Sequence, residues 1–455
     1  MCQIMNSSIA ASSLFLTSAL LSSWTFVDTC HAFTPRPLAS SASASTSLLH
    51  SRRGIRMPDM AIKITPFLTS LSVHATVLAD DSKELPPVPL LPLISNPVMN
   101  DDPPVPGAIM KMLPRDTWHV STPISLVYFF IDVAAVITSM SFLNAVVTSD
   151  LYNSLPVLEQ GALVLPLQIL TGFAMWCTWC IGHDAGHGTI SKSKEYGKVI
   201  NRLVGEISHS VFCLTPFLPW QLSHRKHHLN HNHLERDYSH QWYIREESDD
   251  LHPVIRTAHS VRMLFFPFLY FFYLVTGVPD GGHVFFYGRM WDGHSLKEKM
   301  DAAISVVVSF VTAGVLWSTM GTANFAVVCM VPWMVMSFWL FMVTYLQHHS
   351  HDGKLYTDET FTFQRGAFET VDRDYGKWVN RLSHHMMDGH VVHHLFFTKV
   401  PHYRLEAATA ALREGMKKRG QEHLYKQIDT PNYSQEIVRQ FYDNWFFINE
   451  DQVVR

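Results

Sequence analysis

Eight histidines fall in three short clusters whose spacing suits a metal site. The clusters read GHDAGHG, SHRKHH and GHVVHHLF. They contain His183 and His187, then His224, His227 and His228, and finally His390, His393 and His394. Positions three and four apart share one face of a helix, so each cluster directs its imidazoles toward one point. Three such helices can converge on metal.

The number of imidazoles indicates two metal ions. Zinc sites usually hold four ligands, and a catalytic zinc ion takes only three of them from the protein. Imidazole also suits iron, copper and nickel, so the ligand chemistry alone leaves the metal open. The chain has 27 histidines, and isolated ones such as His31 and His74 are expected to be ordinary surface or hydrogen-bonded residues.

The composition indicates a membrane protein with a sizeable soluble part. Of 455 residues, 47% are hydrophobic and only 16% are charged, and the mean hydropathy is slightly above zero. A net charge of −4 indicates no nucleic-acid partner. Six cysteines are too sparse for a disulfide framework. Cys177 and Cys180 lie in an apolar run and are predicted to pack in a helix core.

The first 108 residues differ in amino-acid composition from the rest of the chain. Residues 1–56 are predicted to be a targeting presequence, in which the apolar run 8–27 precedes a stretch rich in serine and arginine. This pair resembles the bipartite plastid presequence of diatoms and related algae, with Phe33 at the cleavage point. A plain signal anchor is the alternative. Residues 57–108 are predicted to be a linker because of their proline content.

Four apolar segments are long enough to cross a bilayer, at 122–147, 161–182, 302–320 and 325–346. The two short connections within these pairs lack Lys and Arg, whereas the region between the second and third spans contains many Lys and Arg residues. The positive-inside rule therefore puts the histidine clusters on the cytosolic or stromal side. A fifth apolar run, 261–278, is predicted to be interfacial or re-entrant, because a crossing there would separate the second cluster from the third.

The predicted fold is an all-α integral membrane protein with four transmembrane helices in two hairpins. A helical cap on the cytosolic or stromal side, built from residues 183–300 and 347–455, is expected to hold the histidine-rich site.

The chain resembles the membrane-bound fatty acid desaturases of the methyl-end type, the Δ12 and ω-3 group. The likeness rests on the three clusters in order and on the stretches IMKMLPRDTW, HLNHNHLERD, TYLQHHSHD, ETVDRDYGKW and HVVHHLFFTKVPHYRLEAAT. It covers residues 109–415, which we interpret as the desaturase domain. Residues 416–455 are then the C-terminal soluble tail of the cap.

The resemblance implies a di-iron centre bound by the eight cluster histidines. A ninth histidine is expected, with His348 as the preferred residue and His384 as its competitor. His349 and His351 are expected to be solvated or to lie behind the ligands. The carboxylates that could orient the imidazoles are Asp184, Glu235, Asp237 and Asp388. Arg373 and Asp374 match a family segment but receive no role.

The implied activity is that of an oxidoreductase. With dioxygen as co-substrate, it would introduce a cis double bond into an unsaturated fatty acyl chain of a membrane lipid. Electrons would come from an external donor, ferredoxin in the plastid membrane or a cytochrome system at the endoplasmic reticulum, and the plastid is favoured. The HNH pattern at His231 favours ω-3 regiochemistry, whereas LERD resembles Δ12 relatives.

Two other functions remain as alternatives. A related acyl-lipid hydroxylase could use the same three clusters, and the sequence does not separate it from a desaturase. A transporter or metal sensor is disfavoured, because a transporter should carry polar or charged residues within its spans. Among Asp, Glu, Lys and Arg, the predicted spans hold only Asp132.

Overall fold

The computed structural model describes residues 102–237, 240, 242–251, 253–260, 273–274, 282–429 and 447–455. The predicted presequence 1–56, most of the predicted linker 57–108 and most of the apolar run 261–278 lie outside these residues. Every described residue belongs to one unit of the chain, residues 84–455.

The described part of the chain is mostly helical, as the sequence predicts. The helices are α1 Pro106–Met112, α2 Thr122–Val147, α3 Asp150–Ser154, α4 Val157–Gly186, α5 Gly197–Gly205, α6 Phe217–Asn230, α7 Pro253–Ser260, α8 Leu296–Phe325, α9 Val331–Leu346, α10 Phe363–Phe368, α11 Lys377–Leu382, α12 His390–Phe396 and α13 Leu405–Lys418. Two π-helical segments, Glu206–Phe212 and Ala326–Met330, continue α5 and α8.

Within the described residues, three helical segments are long and apolar enough to cross a membrane. They are Thr122–Val147, Val157–Gly186 and the continuous stretch Leu296–Leu346, which includes α8 and α9. Helix α2 has the bounds of the predicted first span. In it, Phe130 and Ile131 leave about 60% of their surface exposed (62% and 58%). Such apolar faces suggest membrane association.

The third apolar stretch is interrupted at Gly321. This residue has φ 76° and ψ 164°, a backbone conformation that does not belong to a helix and that glycine adopts without steric cost. Helix α8 begins at the other end with a capping box, in which Ser295 and Glu298 satisfy each other's backbone N–H groups. The 51 residues are therefore two helical pieces, divided near the predicted boundary between 302–320 and 325–346.

Helix α4 is the central element that brings the first histidine cluster into the protein. It packs against both α2 and α9. A Cβ atom on Gly172 would lie only 2.4 Å from Cβ of Val335, so the close approach of α4 to α9 requires glycine at that position. The C-terminal half of α4, which includes Cys177 and Cys180, is buried in the main hydrophobic core.

Six short strands tie the C-terminal region to the cap. They are β1 Tyr243–Ile244, β2 Leu355–Tyr356, β3 Asp372–Asp374, β4 Gln427–Asp429, β5 Phe447–Ile448 and β6 Val453–Val454. They form three parallel pairs, β1 with β5, β2 with β6 and β3 with β4. Each pair joins a segment that flanks the histidine clusters to the last thirty residues of the chain.

Candidate metal site

The first histidine cluster lies at the C-terminal end of α4. His183 is in the last turn, and His187 is the C-cap residue. Gly188 follows with φ +70°. The N–H of Gly188 bonds to the carbonyl of Ala185, and the N–H of Thr189 bonds to the carbonyl of Asp184, both at 3.0 Å. This is a Schellman motif, which ends the helix with both imidazoles on the same side.

The other two clusters lie on short helices of the cap. His224, His227 and His228 occupy the second half of α6. The third cluster begins α12, where Gly389 is the N-cap residue and His390 the first helical residue. His348 comes two residues after the end of α9. All nine imidazoles are buried.

One group of five histidines brings all three clusters together. It consists of His183, His187, His224, His228 and His393, and one nitrogen of each lies within 4.8 Å of the others. The Nε2 atoms of His183 and His224 are 2.8 Å apart, and those of His224 and His228 are 2.9 Å apart. The Nε2 of His393 lies 3.2 Å from that of His228.

A second group of four histidines lies beside the first. It consists of His227, His231, His348 and His394, with ligand atoms again within 4.8 Å of one another. The Nε2 of His348 lies 2.9 Å from that of His227 and 3.0 Å from that of His394. Adjacent histidines therefore serve different groups, since His227 and His228, and likewise His393 and His394, are divided between the two.

The remaining predicted site histidines differ in position. His390 lies at the edge of the second group, with its Nε2 3.4 Å from the Nε2 of His348. The ring of His384 instead faces the first apolar helix, where its Nε2 lies 2.6 Å from Oδ2 of Asp132. The structure thus brings His348 to the other histidines and directs His384 to a carboxylate.

His231 is a member of the second group that the sequence analysis did not propose as a ligand. It is the C-cap residue of α6, four residues after His227 and three after His228, so it continues the spacing of the second cluster. It is 1% exposed, and neither of its ring nitrogens has a hydrogen-bond partner. Its Nδ1 lies 3.5 Å from Oδ2 of Asp237. The HNH sequence is the signal that could have indicated this ligand, but it was used above only to favour ω-3 regiochemistry.

The spacing of the nitrogen atoms fits metal coordination better than hydrogen bonding. The Nε2 of His348 has three other Nε2 atoms within 3.4 Å, and one imidazole nitrogen can supply at most one proton. With metal–nitrogen bonds of about 2.1 Å, neighbouring ligand atoms lie about 3.0 Å apart in an octahedral site and about 3.4 Å apart in a tetrahedral one. The observed Nε2–Nε2 distances of 2.8–3.4 Å are close to these ligand–ligand distances.

Hydrogen bonds at Nδ1 direct several of the Nε2 atoms inward. The Nδ1 of His390 lies 2.9 Å from the carbonyl oxygen of Met386, and the Nδ1 of His348 contacts the carbonyl oxygen of Thr344. Each contact fixes a tautomer whose proton is on Nδ1, which leaves the Nε2 lone pair free for a metal.

Of the four carboxylates predicted to orient imidazoles, Asp237 makes the clearest contact. Its Oδ1 lies 2.8 Å from Nδ1 of His227. Asp184 binds the backbone N–H and Nδ1 of His402, both at 3.0 Å, and its other oxygen lies 3.6 Å from Nδ1 of His183. Asp388 pairs with His385. Glu235 is exposed.

Burial favours the neutral form of several metal-site imidazoles. Loss of hydration, followed by the charges of neighbouring histidines, holds the pKa values of His228, His393 and His394 well below the ordinary value. Burial alone would raise the pKa of Asp237, but the neighbouring His227 imidazole and its hydrogen bond to the carboxylate hold that pKa well below its usual range. Neutral imidazole is the form that binds metal.

A small apolar cavity of about 20 Å³ lies between the apolar helices and the histidines. Three histidines, His183, His224 and His390, lie at its polar side. The rest of its lining is largely apolar and consists of Trp176, Trp179, Cys180, Trp220, Leu340, Val343, Thr344 and Met386. The cavity is contributed by α4, α6 and α9, so it leads from the apolar helices to the histidine side chains.

Apolar helices that can cross a membrane, joined to a cap with two adjacent histidine groups, define the class of protein. Residues 160–426 match the family model described as fatty acid desaturase. The chain belongs to the fatty acid desaturase family, which confirms the resemblance inferred from the sequence.

The similar proteins include both regiochemical types. The chain is 31% identical over 324 residues to a Delta(12) fatty acid desaturase of Caenorhabditis elegans, covering 68% of this chain and 80% of the relative. It is 34% identical over 316 residues to the acyl-lipid omega-3 desaturase (cytochrome b5) of the endoplasmic reticulum of Arabidopsis thaliana, covering 68% and 75%. A chloroplastic, ferredoxin-type omega-3 relative from the same plant is 32% identical over 318 residues, covering 67% and 66%.

Proposed function

We propose that the protein is an oxygen-dependent fatty acyl desaturase that inserts a cis double bond into an unsaturated acyl chain of a membrane lipid, with ω-3 regiochemistry. The observation that carries the proposal is the pair of adjacent histidine groups, whose Nε2 atoms meet at separations of 2.8–3.4 Å. Family membership supports the same activity.

Two iron ions are the proposed metals. The first would be held by His183, His187, His224, His228 and His393, and the second by His227, His231, His348 and His394 with His390 at its edge. Five imidazoles in one group exceed the four ligands of a zinc site. When bound and reduced, a pair of irons supplies the activation of dioxygen that removal of hydrogen from an unactivated C–H bond requires.

The residues around the groups would bind and orient the acyl chain. The apolar side chains of Trp176, Trp179 and Trp220 line a cavity of about 20 Å³ that would have to widen to accept the methylene groups of an acyl chain. His183, His224 and His390 at its polar side place the reacting carbons next to the metal ligands. Asp237 holds the ring of His227 so that its Nε2 faces the second group.

The proposed membrane topology is two helical hairpins that place the cap on one side. Helices α2 and α4 form the first hairpin. The break at Gly321 divides Leu296–Leu346 into two pieces that would form the second. The proposed desaturase domain covers residues 109–415. A presequence at 1–56 and a linker at 57–108 precede it, and a soluble tail at 416–455 follows it.

The electron donor and location are proposed from the presequence and the relatives. A plastid membrane with ferredoxin as donor is our proposal, and it agrees with the name of the chloroplastic, ferredoxin-type relative. The relative named for cytochrome b5 and the endoplasmic reticulum represents the alternative. The two donors can be separated by supplying each one to the purified protein.

The test is the fatty acid profile of yeast that expresses the full chain with a plant-type ferredoxin and its reductase, fed oleate or linoleate. Conversion of linoleate to α-linolenate is expected, and a His227→Ala variant should abolish it. Conversion of oleate to linoleate would assign Δ12 regiochemistry instead. A hydroxylated product, or no product from iron-loaded protein, would refute desaturation.

A further inference from the structure

The two residues Asp372 and Arg373 lie side by side in strand β3, and both are almost completely buried, with 2% and 1% of their surfaces exposed. Burying a charged side chain costs free energy unless hydrogen bonds replace its hydration. The contacts of this pair reach two segments that carry metal-site histidines, and Asp372 also contacts Tyr425.

Arg373 binds the end of the helix that precedes His348. Its Nε donates to the carbonyl oxygen of Leu346 at 2.9 Å, and a terminal guanidinium nitrogen donates to the carbonyl oxygen of His349 at 2.8 Å. Leu346 is the last residue of α9. Carbonyl groups at a helix C-terminus lack helical partners and attract positive charge. The guanidinium therefore holds the backbone on both sides of His348.

Asp372 binds the start of the helix that carries the third cluster. Its Oδ1 accepts a hydrogen bond from the N–H of Val391 at 2.9 Å, in the first turn of α12. The first N–H groups of a helix lack helical partners and attract negative charge. The other carboxylate oxygen accepts a hydrogen bond from the hydroxyl of Tyr425. The carboxylate thus fixes the backbone next to His390.

The backbone of the strand reinforces both contacts. The N–H of Val371 donates to the carbonyl of Gln347 at 2.8 Å, and the N–H of Arg373 donates to the carbonyl of Met387 at 2.9 Å. Successive side chains of a strand point to opposite faces, so Asp372 and Arg373 reach different helices from one rigid segment. The strand in turn pairs with β4.

From this arrangement, and resting on the function proposed above, we propose that Asp372 and Arg373 are positioning residues that set the distance between His348 and the third histidine cluster. The Nε2 of His348 lies 3.0 Å from that of His394. A functional constellation tolerates displacements of only about 0.5 Å. The two helix ends approach the site from different parts of the chain, and β3 is the segment that bonds to both.

The two residues should affect the two metal positions differently. Arg373 holds His348, which belongs to the second group alone, whereas Asp372 holds α12, which supplies His393 to the first group and His394 to the second. Arg373→Lys replaces a fork that spans two carbonyls with a single ammonium group. Asp372→Asn replaces one acceptor oxygen with an NH₂ group, which cannot accept hydrogen bonds from both the Val391 N–H and the Tyr425 hydroxyl, and keeps the size of the side chain.

The experiment is a Co²⁺ titration of the metal-free full chain, followed by visible absorption. Arg373→Lys should weaken binding of the ion held by the second group by about 10- to 100-fold, the usual effect of losing a residue that orients a ligand. Binding of the other ion should be unchanged. Asp372→Asn should weaken binding of both ions. Matched controls are Asp374→Asn in the same strand and Arg381→Lys in α11, both at exposed positions, and both variants should bind metal as the unsubstituted protein does.

Hydrogen exchange of the metal-free protein gives a second readout that needs no activity. The peptide containing residues 386–397 should exchange faster in Asp372→Asn, while the α2 and α4 peptides keep their protection. The proposal is overturned if both variants bind two ions with unchanged affinity, or if Arg373→Lys weakens binding of both ions equally and loosens the whole chain. If the unsubstituted protein itself fails to bind two ions, the proposed function fails instead.

Discussion

The Nδ1 atom of His227 lies 2.8 Å from the Oδ1 atom of Asp237, and neither side chain is exposed to solvent beyond 1%. This contact sets the orientation of the one imidazole of α6 that faces the second group. The same carboxylate lies 3.5 Å from His231, so a single buried acid serves two histidines of that group.

Replacement of this acid should weaken the second metal position. In Asp237→Asn the neutral amide binds His227 less strongly, and we expect metal affinity or desaturation to fall by about 10- to 100-fold. Iron content and product formation measure the effect. Asp358→Asn is the control, because Asp358 pairs with His233 at an exposed position away from both groups. Equal losses in both variants would contradict a specific role for Asp237.

Loss of His231 should remove iron from the second group only. The expected result for His231→Ala is at least about tenfold weaker binding of one of the two ions, measured by metal analysis after dialysis against a chelator. His233→Ala is the matched control two residues away, since His233 is bonded to Asp358. Retention of two tightly bound ions in His231→Ala would remove His231 from the ligand set.

His348 and His384 should respond differently to the same substitution. His348→Ala should lose iron, because three histidines approach its Nε2. His384→Ala should keep two irons but destabilise the fold by about 1–3 kcal/mol, because Asp132 is left buried without its partner. Iron analysis and thermal unfolding distinguish the two outcomes. Loss of iron without loss of stability in His384→Ala would restore His384 as the ninth ligand.

Acid should destabilise the metal-free protein. Burial lowers the pKa of His283 to about 4, whereas an unfolded histidine titrates near about 6.5. Between these values the unfolded state binds more protons, so the free energy of unfolding decreases as the pH falls, by about 1.4 kcal/mol per pH unit for each such histidine. This stability is fully present above pH of about 6.5.

The pH effect is measured by thermal unfolding of metal-free protein from neutral pH down to about pH 5, the range in which unfolded histidines gain their protons. His283→Gln should show a shallower decrease of the unfolding temperature, while His423→Gln, at an exposed position, should match the unsubstituted protein. An unfolding temperature that stays constant over this range would contradict neutral burial of the histidines.

The sequence predicted the elements that have a local signal. The apolar run at 122–147 is long and uninterrupted, so it marked α2 at its true bounds. Helical spacing marked the eight cluster histidines as candidate ligands, and seven of them lie in the two groups. His231 lies four residues after His227 and therefore has the spacing of the second cluster, but the HNH sequence was used only to indicate regiochemistry, so this candidate ligand was missed.

Contacts between distant segments could not be predicted. Asp132 and His384 are 252 positions apart, and neither has a neighbour in sequence that marks the pairing. The roles of Asp372 and Arg373 also depend on where α9 ends and α12 begins, which only the folded chain brings to one strand. The strands themselves are two or three residues long, too short for an alternating pattern to appear.

The most direct test of the account is a single-turnover experiment on the full chain loaded with two irons. The protein is reduced without oxygen, freed of reductant, and mixed with an acyl lipid and dioxygen. Two ferrous ions supply the two electrons that balance formation of one double bond and two molecules of water. The account predicts up to one new cis double bond for each pair of irons, lost in His228→Ala and in His348→Ala. A hydroxylated product, or no product from protein that holds both irons, would contradict it.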